Sequence, residues 1–484
     1  MKAVATRVLL LLLVVCMIIP FASCANGDKT GTEESGKGQT EAQTEAYFPE
    51  VEKTNYNRDF TAIYCSDIFR KGYYFVTEED REVGNDLNDR LYERMMKIKD
   101  YLGVDIIPKD GGSYLEYSAD VKRCCTTGDN EYQLLMTHVY IDVASMISSG
   151  YFLDFQDFDS INLDGAYWNR NLMEDLSVND AMYCGYNDFC LSNVYLLAFN
   201  KDMMKNYLPA LDSDLYTMVR NKQWTLSKMI EVASMVSEDN GDGKWDEKDT
   251  YGFGGLQWVP LISFMTSSDI KLVDKDDTTG ELYVAPLVDN QNKYLSVVEQ
   301  LVAFNKTNSC YMYFHDVPAD KRINLTSNRL LFEMVNNFDL IKYKEESVKI
   351  GVLPYPLYDP QQENYMTLNW NGLLTIPNTN VDDMDMVSDV LEMLAFWSDP
   401  VKESFYETLL GAKIADAPED VEMLNIIWNS QVSDLGLVFS SAAKSMDPLL
   451  YAIPNFVHNG TTDVSSLFKK NTNTAEKALN KLFE

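Results

Sequence analysis

Short apolar runs alternate with amphipathic helical stretches along most of this chain. The β-rich run 60–64 is followed by apolar residues from Leu87 to Leu102 at helical spacing, and Gly103 ends that helix. Further strands are predicted at 105–107, 132–136, 195–199, 350–355 and 373–376, and further helices at 224–236 and 387–397. Such alternation predicts an α/β architecture with largely parallel strand pairing.

The first residues predict export and lipid attachment. Lys2 and Arg7 precede an apolar run from 8 to 19, and small residues then lead to Cys24, as in a signal peptide (1–23) that ends in a lipobox. A stable membrane-spanning helix needs about 20 apolar residues, so this run is too short. We expect lipid on Cys24 to hold the chain at the outer face of the bacterial cytoplasmic membrane. A secretory signal with a chance cysteine and a permanent anchor helix are the alternatives.

Composition restricts the partners of the exported chain. The segment 24–55 is polar and poor in branched aliphatic residues, which predicts a flexible tether. The 484 residues carry a formal net charge of −33, which argues against nucleic acid as a partner because phosphate neutralisation needs basic patches. Anionic lipid would also repel the body, so the membrane contact would depend on the lipid at Cys24. The remainder is large enough for two cores, and a monomer is expected.

The cysteines give no metal motif. No Cys-x-x-Cys pair occurs, and the spacings do not match a zinc site. Export permits disulfides, and the nearest candidate pair is Cys184 with Cys190, with buried free thiols as the alternative. The cysteines beyond Cys24 are Cys65, Cys124, Cys125, Cys184, Cys190 and Cys310.

The twelve residues 238–249 match the loop of an EF-hand-type calcium site. Gly243 occupies position 6, where the loop turns sharply. Glu238 replaces the usual Asp at position 1, and Asp249 replaces the bidentate Glu at position 12, so we expect a weak, structural site suited to extracellular calcium. A solvated acidic turn is the alternative. The predicted Ca²⁺ ligands are the side chains of Glu238, Asn240, Asp242, Asp246 and Asp249 and the main-chain carbonyl of Lys244.

Several short segments occur in an order that resembles one protein family. They are YLLAFNKD at 195–202, Trp224-Thr225, the acidic loop, Tyr251-Gly252-Phe253, GVLPYP at 351–356, Tyr365-Met366 and NGLLTIP at 371–377. In this order they are similar to the family 1 extracellular solute-binding lipoproteins of sugar-type ABC transporters. The resemblance covers most of 56–484 and is more specific for the fold than for the ligand.

This resemblance implies a two-lobed, type II periplasmic-binding-protein-like α/β fold, with discontinuous lobes joined by crossover strands that allow hinge motion. It further implies that a small solute, most simply a carbohydrate or oligosaccharide, binds between the lobes and passes to the permease subunits of an ABC transporter. The implied ranges are 56–197 and 373–425 for lobe 1 and 198–372 and 426–484 for lobe 2, with crossovers near 196–200 and 368–374.

Candidate ligand contacts follow from how sugars bind. Apolar ring faces stack on aromatic side chains, while hydroxyls form hydrogen bonds with amides and carboxylates. In similar proteins a polar contact lies just ahead of the crossover strand, where Asn193 stands, and a loop-to-helix segment such as that at Trp258 faces the cleft. The candidates, for each of which core packing is the alternative, are Asp67, Trp168, Asn193, Trp258, Asn337, Phe338, Trp370 and Asn371.

The sequence lacks the common catalytic motifs. It contains no His-Glu-x-x-His, no Gly-x-Ser-x-Gly and no phosphate loop, and its three histidines are far apart. His138 follows a predicted strand and could line the cleft. We expect no enzymatic activity, and a glycoside hydrolase that uses two of the 74 acidic residues is the lesser alternative. The main alternative is a lipid-anchored sensor or adhesion protein, which would need a large exposed apolar patch.

Overall fold

The computed structural model describes residues 48–139, 143–191, 194–211, 214–276, 278–343, 347–370, 372–410 and 418–483. The described residues from Pro49 onwards form one compact unit. The signal peptide, most of the tether and Cys24 lie outside the described residues, as do the candidates Asn193 and Asn371. None of the described helices combines the length and hydropathy that crossing a bilayer requires.

Strands and helices alternate along the described chain. The strands are β1 (Arg58–Tyr64), β2 (Val104–Asp110), β3 (Leu134–His138), β4 (Tyr195–Asn200), β5 (Ser237–Glu238), β6 (Thr250–Leu256), β7 (Val273–Lys275), β8 (Leu282–Val284), β9 (Cys310–Tyr313), β10 (Leu330–Asn336), β11 (Ile350–Leu353), β12 (Thr367–Leu368), β13 (Gly372–Thr375) and β14 (Gln431–Val432). The helices are α1 (Asp86–Leu102), α2 (Tyr114–Thr127), α3 (Val143–Ser148), α4 (Arg170–Asp175), α5 (Lys201–Tyr207), α6 (Asp214–Arg220), α7 (Leu226–Ser234), α8 (Val259–Ser267), α9 (Gln291–Asn305), α10 (Asn337–Lys342), α11 (Met384–Phe396), α12 (Asp399–Leu410), α13 (Pro418–Asn429), α14 (Leu435–Phe439), α15 (Asp447–Leu450), α16 (Ala452–Asn459) and α17 (Val464–Lys481).

Local signals fix the helix ends where the sequence predicts them. The Asn85 side chain caps α1 by accepting from the Asn88 main-chain N–H, and Gly103 ends it with φ 65°, in the left-handed region that glycine favours. Thr225 caps α7 in the same way. Trp224 lies before that helix and is fully buried, with its indole N–H donating to the Pro354 carbonyl at 3.0 Å.

Two mixed sheets form the framework. The first has the order β13-β3-β1-β2, and the second has the order β11-β4-β10-β6, with β5 and β9 both paired to β6. Strand β1 is parallel to β2 and β3, and β6 is parallel to β9 and β10, whereas β4 and β13 run antiparallel to their neighbours. The prediction of largely parallel pairing is therefore wrong for β4 and β13. Strands β4 and β13 each enter their sheet from the other sheet, at the edge where the parallel strands end. Each therefore runs in the direction opposite to those parallel strands.

The chain passes between the sheets through neighbouring segments. Val194, just ahead of β4, forms an antiparallel bridge with Asn369, just ahead of β13. The predicted crossover at 196–200 lies inside the second sheet, because this fully buried run pairs with β10 and β11. Helix α13, which the proposed lobe boundary at 425 divides, packs against β11 of the second sheet. The lobe boundaries otherwise remain a prediction.

Candidate ligand cleft

A cavity of about 270 Å³ lies where the carboxyl ends of strands from both sheets meet. Strands β1 and β3 of the first sheet and β10 of the second lead into it. In open α/β sheets this edge is where ligands bind. The lining residues are Ser66, Asp67, Ile68, Arg70, Tyr74, His138, Asn336, Phe338 and Asp339.

The segment after β1 supplies both signs of charge. Asp67 is exposed, and its Oδ2 accepts the main-chain N–H of Tyr114 at 3.1 Å, at the start of α2. The Arg70 guanidinium lies 5.8 Å from the centre of the Phe338 ring, which is cation–π distance. Arg70 and Phe338 belong to segments that follow different sheets, so this contact bridges the cleft.

The opposite wall is the first turn of α10. The Asn336 side chain accepts the Asp339 N–H at 2.8 Å and donates to Asp339 Oδ2 at 2.7 Å, which caps the helix and fixes both polar groups at the cavity. Phe338 contacts two aromatic rings, with its centre 5.2 Å from that of Tyr73 and 5.7 Å from that of Phe405. Its ring therefore forms an apolar surface beside the capped amide and carboxylate.

His138 forms the floor at the end of β3. It is buried, and its ring centre lies 5.7 Å from that of Trp370 in an edge-on contact. Burial lowers the pKa of His138 to about 4, despite a hydrogen bond to the Trp370 main chain that acts in the opposite direction. The imidazole is therefore neutral near pH 7 and presents a polar but uncharged group to a ligand.

The structure separates the other candidates. Asn337 is fully buried, and its Oδ1 accepts the Val194 N–H at 3.0 Å, so its side chain supports the crossover and does not line the cavity. Trp168 lines a different cavity, described below, and donates to Glu392 at 2.8 Å. Trp370 contacts the floor through His138.

Trp258 lies at the carboxyl end of β6, the same sheet edge to which β10 brings Asn336. Its ring stacks on Tyr451 with centres 4.3 Å apart and an interplanar angle of 17°. Phe314 and His315, which follow the parallel strand β9, contact Trp258 edge-on. These rings form an aromatic group along the edge of the second sheet.

Sequence reasoning missed Arg70, Asn336, Asp339 and Tyr451. A signal for the first three was present, because Arg70 lies three residues after Asp67, and Asn336 and Asp339 flank the chosen pair 337–338. No such signal existed for Tyr451, since its contact with Trp258 joins residues that are distant in the chain.

The acidic loop has the expected turn but no assembled metal site. Gly243 has φ 76°, as position 6 requires. The Asp249 carboxylate accepts the N–H groups of Asn240 and Asp246 at 2.8 and 2.6 Å, and Glu238 accepts from the Tyr207 hydroxyl. Among the described residues no three His, Cys, Asp or Glu side chains are grouped closely enough to hold a metal ion. The all-oxygen donor set still suits Ca²⁺, and the site remains a prediction.

The six cysteines beyond Cys24 are buried free thiols, so Cys184 and Cys190 do not pair. Burial raises the pKa of each of these two thiols to about 12, which keeps them protonated and unreactive. The alternative of buried free thiols is the one that the structure shows.

Comparison with known proteins bears on the fold. No family model matches the sequence, and no curated protein matches it. Solved structures do match. A sugar transporter from Rhizobium etli in an open conformation has a TM-score of 0.54 at 14% identity, over 87% of this chain and 98% of that one. The GacH receptor of Streptomyces glaucescens, solved unliganded and with acarbose, has a TM-score of 0.52 at 11% identity, over 88% and 98%.

A family 1 extracellular solute-binding protein from Bifidobacterium longum subsp. infantis has a TM-score of 0.51 at 13% identity, over 88% of this chain and 98% of that one. The chain has the two-lobed fold of these solute-binding proteins. The predicted fold class is thereby confirmed. The named neighbours are transport-associated binding proteins and not enzymes.

We expect acid to destabilise the protein through His138. Its folded-state pKa of about 4 lies below the reference value of 6.5. Between these two pH values the unfolded chain binds a proton at His138 and the folded chain does not. The free energy of unfolding therefore keeps its full value with respect to His138 above pH 6.5. It decreases as the pH falls towards 4, by about 3 kcal/mol in the limit. Urea unfolding of wild type and His138→Gln at pH 7 and pH 4.5 should show the smaller loss in the variant.

Two other buried groups oppose this effect. Burial raises the pKa of Glu333 to about 8 and that of Asp434 to about 6, so both contribute stability at low pH that is lost as the pH rises through those values. They are present in both proteins and cancel in the comparison. Equal acid destabilisation of wild type and His138→Gln would show that His138 is not the responsible group.

Proposed function

We propose that this chain is a lipid-anchored extracellular solute-binding protein that captures a carbohydrate in the cleft and delivers it to an ABC permease. The observation that carries the proposal is the cavity in which Asp67, Arg70 and His138 from the first sheet meet Asn336 and Phe338 from the second. A solute there contacts groups supported by both sheets. Closure around the solute follows if it binds the closed arrangement more tightly than the open one.

The chemistry of the lining favours a neutral polyhydroxylated solute. Asp67 and Asp339 offer acceptors, Arg70 offers donors, and His138 is uncharged near neutral pH. The Phe338 ring provides an apolar face of the kind on which a sugar ring packs. No residue in this set needs to perform a chemical reaction, and the neighbours named above are transport-associated binding proteins.

The first test is a thermal-shift screen of the full chain against mono- and oligosaccharides, followed by calorimetric titration of the hit. We expect one saccharide family to raise the melting temperature with 1:1 stoichiometry. Asp67→Ala and Arg70→Ala should each weaken binding at least about tenfold, equivalent to about 1.4 kcal/mol. The matched controls Asp86→Ala and Arg90→Ala change an exposed charge pair on α1 and should bind as wild type does.

Other outcomes of this screen would contradict the proposal. Hydrolysis products after incubation with oligosaccharides would identify a glycoside hydrolase. Absence of any shift across the panel would favour the sensor or adhesion protein. Equal losses in the cleft variants and in the α1 controls would place binding elsewhere.

We further propose that the loop 238–249 binds one structural Ca²⁺. The ion would be held by the Lys244 carbonyl and by side-chain oxygens of Glu238, Asn240, Asp242, Asp246 and Asp249. The loop joins β5 to β6, and β6 is central to the second sheet. Fixing this connection would therefore stabilise the strand that carries Trp258.

Calcium should raise the thermal stability of the full chain, and chelation should reverse the effect. A ligand present at about 100 times its Kd stabilises by about 2.7 kcal/mol. Asp242→Asn should require more calcium for the same shift, whereas Asp320→Asn, an exposed acidic control, should respond as wild type does. Identical melting curves with calcium and with chelator would contradict the calcium site.

Lipid attachment at Cys24 can be tested in cells. Cys24→Ala should lose the acyl label and move from the membrane fraction to the soluble extracellular fraction, because the acidic body has no attraction to anionic lipid. The matched control is Cys16→Ala, which changes the cysteine inside the signal peptide. Membrane retention of Cys24→Ala would favour an uncleaved anchor helix.

A further inference from the structure

A second cavity of about 380 Å³ lies apart from the cleft cavity. Small-molecule sites occupy about 300–1,000 Å³, so its size suits a small ligand. The chain segment 186–191 separates the two cavities. Residues 186–188 and Cys190 line the second cavity, while the carbonyl of Leu191 accepts at 2.9 Å from the hydroxyl of Tyr74, which lines the cleft.

Elements associated with both sheets supply the walls. Lys402 lies on α12, which packs against α1 beside the first sheet. Trp428 and Asn429 end α13, which packs against β11 of the second sheet. The hydroxyl of Tyr186 donates to Gln431 Oε1 at 3.0 Å across this junction. A molecule in the cavity would therefore contact parts of the chain that are anchored to different sheets.

The charged side chains of the lining are already paired. Lys402 Nζ lies 2.6 Å from Asp188 Oδ2, and Arg170 pairs with Asp164 and Glu174. An ionic ligand would have to compete with these pairs, and separating a partly buried pair leaves an uncompensated charge. A neutral ligand can instead use the remaining hydrogen-bonding capacity of the same groups.

The rest of the lining combines aromatic rings with amides. The half-buried Trp428 is held edge-on by Tyr406, with ring centres 4.9 Å apart. Asn171 and Asn429 are exposed at the cavity, and Asn187 is 2% exposed. Within the described part of the chain, Asn187 Nδ2 has no hydrogen-bond partner. Rings beside amide groups match a ligand with an apolar face and several hydroxyls.

We propose that this cavity is a second binding site, for a neutral polyhydroxylated molecule of about monosaccharide size. Trp428 provides the ring surface, and Asn171 and Asn429 provide hydrogen bonds. A hydrogen bond to Glu392 fixes Trp168, and Trp168 in turn positions the loop that forms the opposite wall. The site is distinct from the cleft, and the proposal holds whichever solute the cleft binds.

The test uses the full chain labelled with 5-fluorotryptophan at its 7 tryptophans and followed by ¹⁹F NMR. Trp168→Phe and Trp428→Phe assign the two cavity signals. Titration with D-glucose, D-galactose and myo-inositol should move both signals saturably with at least one probe. Asn429→Leu should weaken that response at least about tenfold, while Asn425→Leu, an exposed change one turn earlier on α13, should leave it unchanged.

Two results would overturn the second site. The cavity signals could stay fixed, or drift without saturation, for every probe. Alternatively, the response could persist in Asn429→Leu and disappear in the cleft variant Arg70→Ala, which would show that the tryptophans sense binding in the cleft. The second site would be supported if the cleft variants lost saccharide binding but kept the Trp428 response. That result would also show that binding in the cleft and binding in the second cavity are independent.

Discussion

The arrangement of both sheets depends on the contact between Asn337 and Val194. The Asn337 side chain accepts the Val194 N–H at 3.0 Å, and its main-chain N–H donates to the Val194 carbonyl at 3.1 Å. Val194 also bridges Asn369, so the outgoing and returning segments run side by side. Because both segments leave at the carboxyl edges of parallel strands, these edges face each other. The cleft groups after β1, β3 and β10 owe their convergence to this crossing.

A buried arginine supports the wall between the two cavities. Arg94 is 2% exposed, and it donates to the Tyr74 carbonyl at 2.6 Å and to Ser398 Oγ at 2.8 Å. Burial lowers its pKa to about 9, because desolvation disfavours the charged guanidinium. The Phe189 ring, 4.7 Å from the guanidinium, offsets part of that cost. These contacts fix Tyr74 from one side while its hydroxyl ties it to 186–191 on the other.

Local sequence signals were sufficient for the framework and insufficient for the site. The capped ends of α1 and α7 and the apolar run of β4 depend on neighbours in sequence, and they lie where predicted. Strand direction in β4 and the role of Asn337 depend on the crossing, which no local pattern encodes. Asp67 and Phe338 line the cleft cavity because the segments after their strands converge there. Trp168 instead lines the second cavity, where its indole N–H donates to Glu392 from a distant helix.

The electrostatics of the cleft bear on the charge of the proposed solute. With a formal net charge of −33, the chain repels an approaching anion over about a Debye length, roughly 8 Å at physiological ionic strength. Inside the cavity, Arg70 faces Phe338 while Asp67 and Asp339 supply negative charge, so a cation meets one repulsive group and an anion meets two. Burial keeps His138 neutral near pH 7, so Arg70 supplies the positive charge of this lining. The proposed polyhydroxylated solute would use these groups as hydrogen-bond partners and would place no charge of its own beside the two carboxylates and the guanidinium.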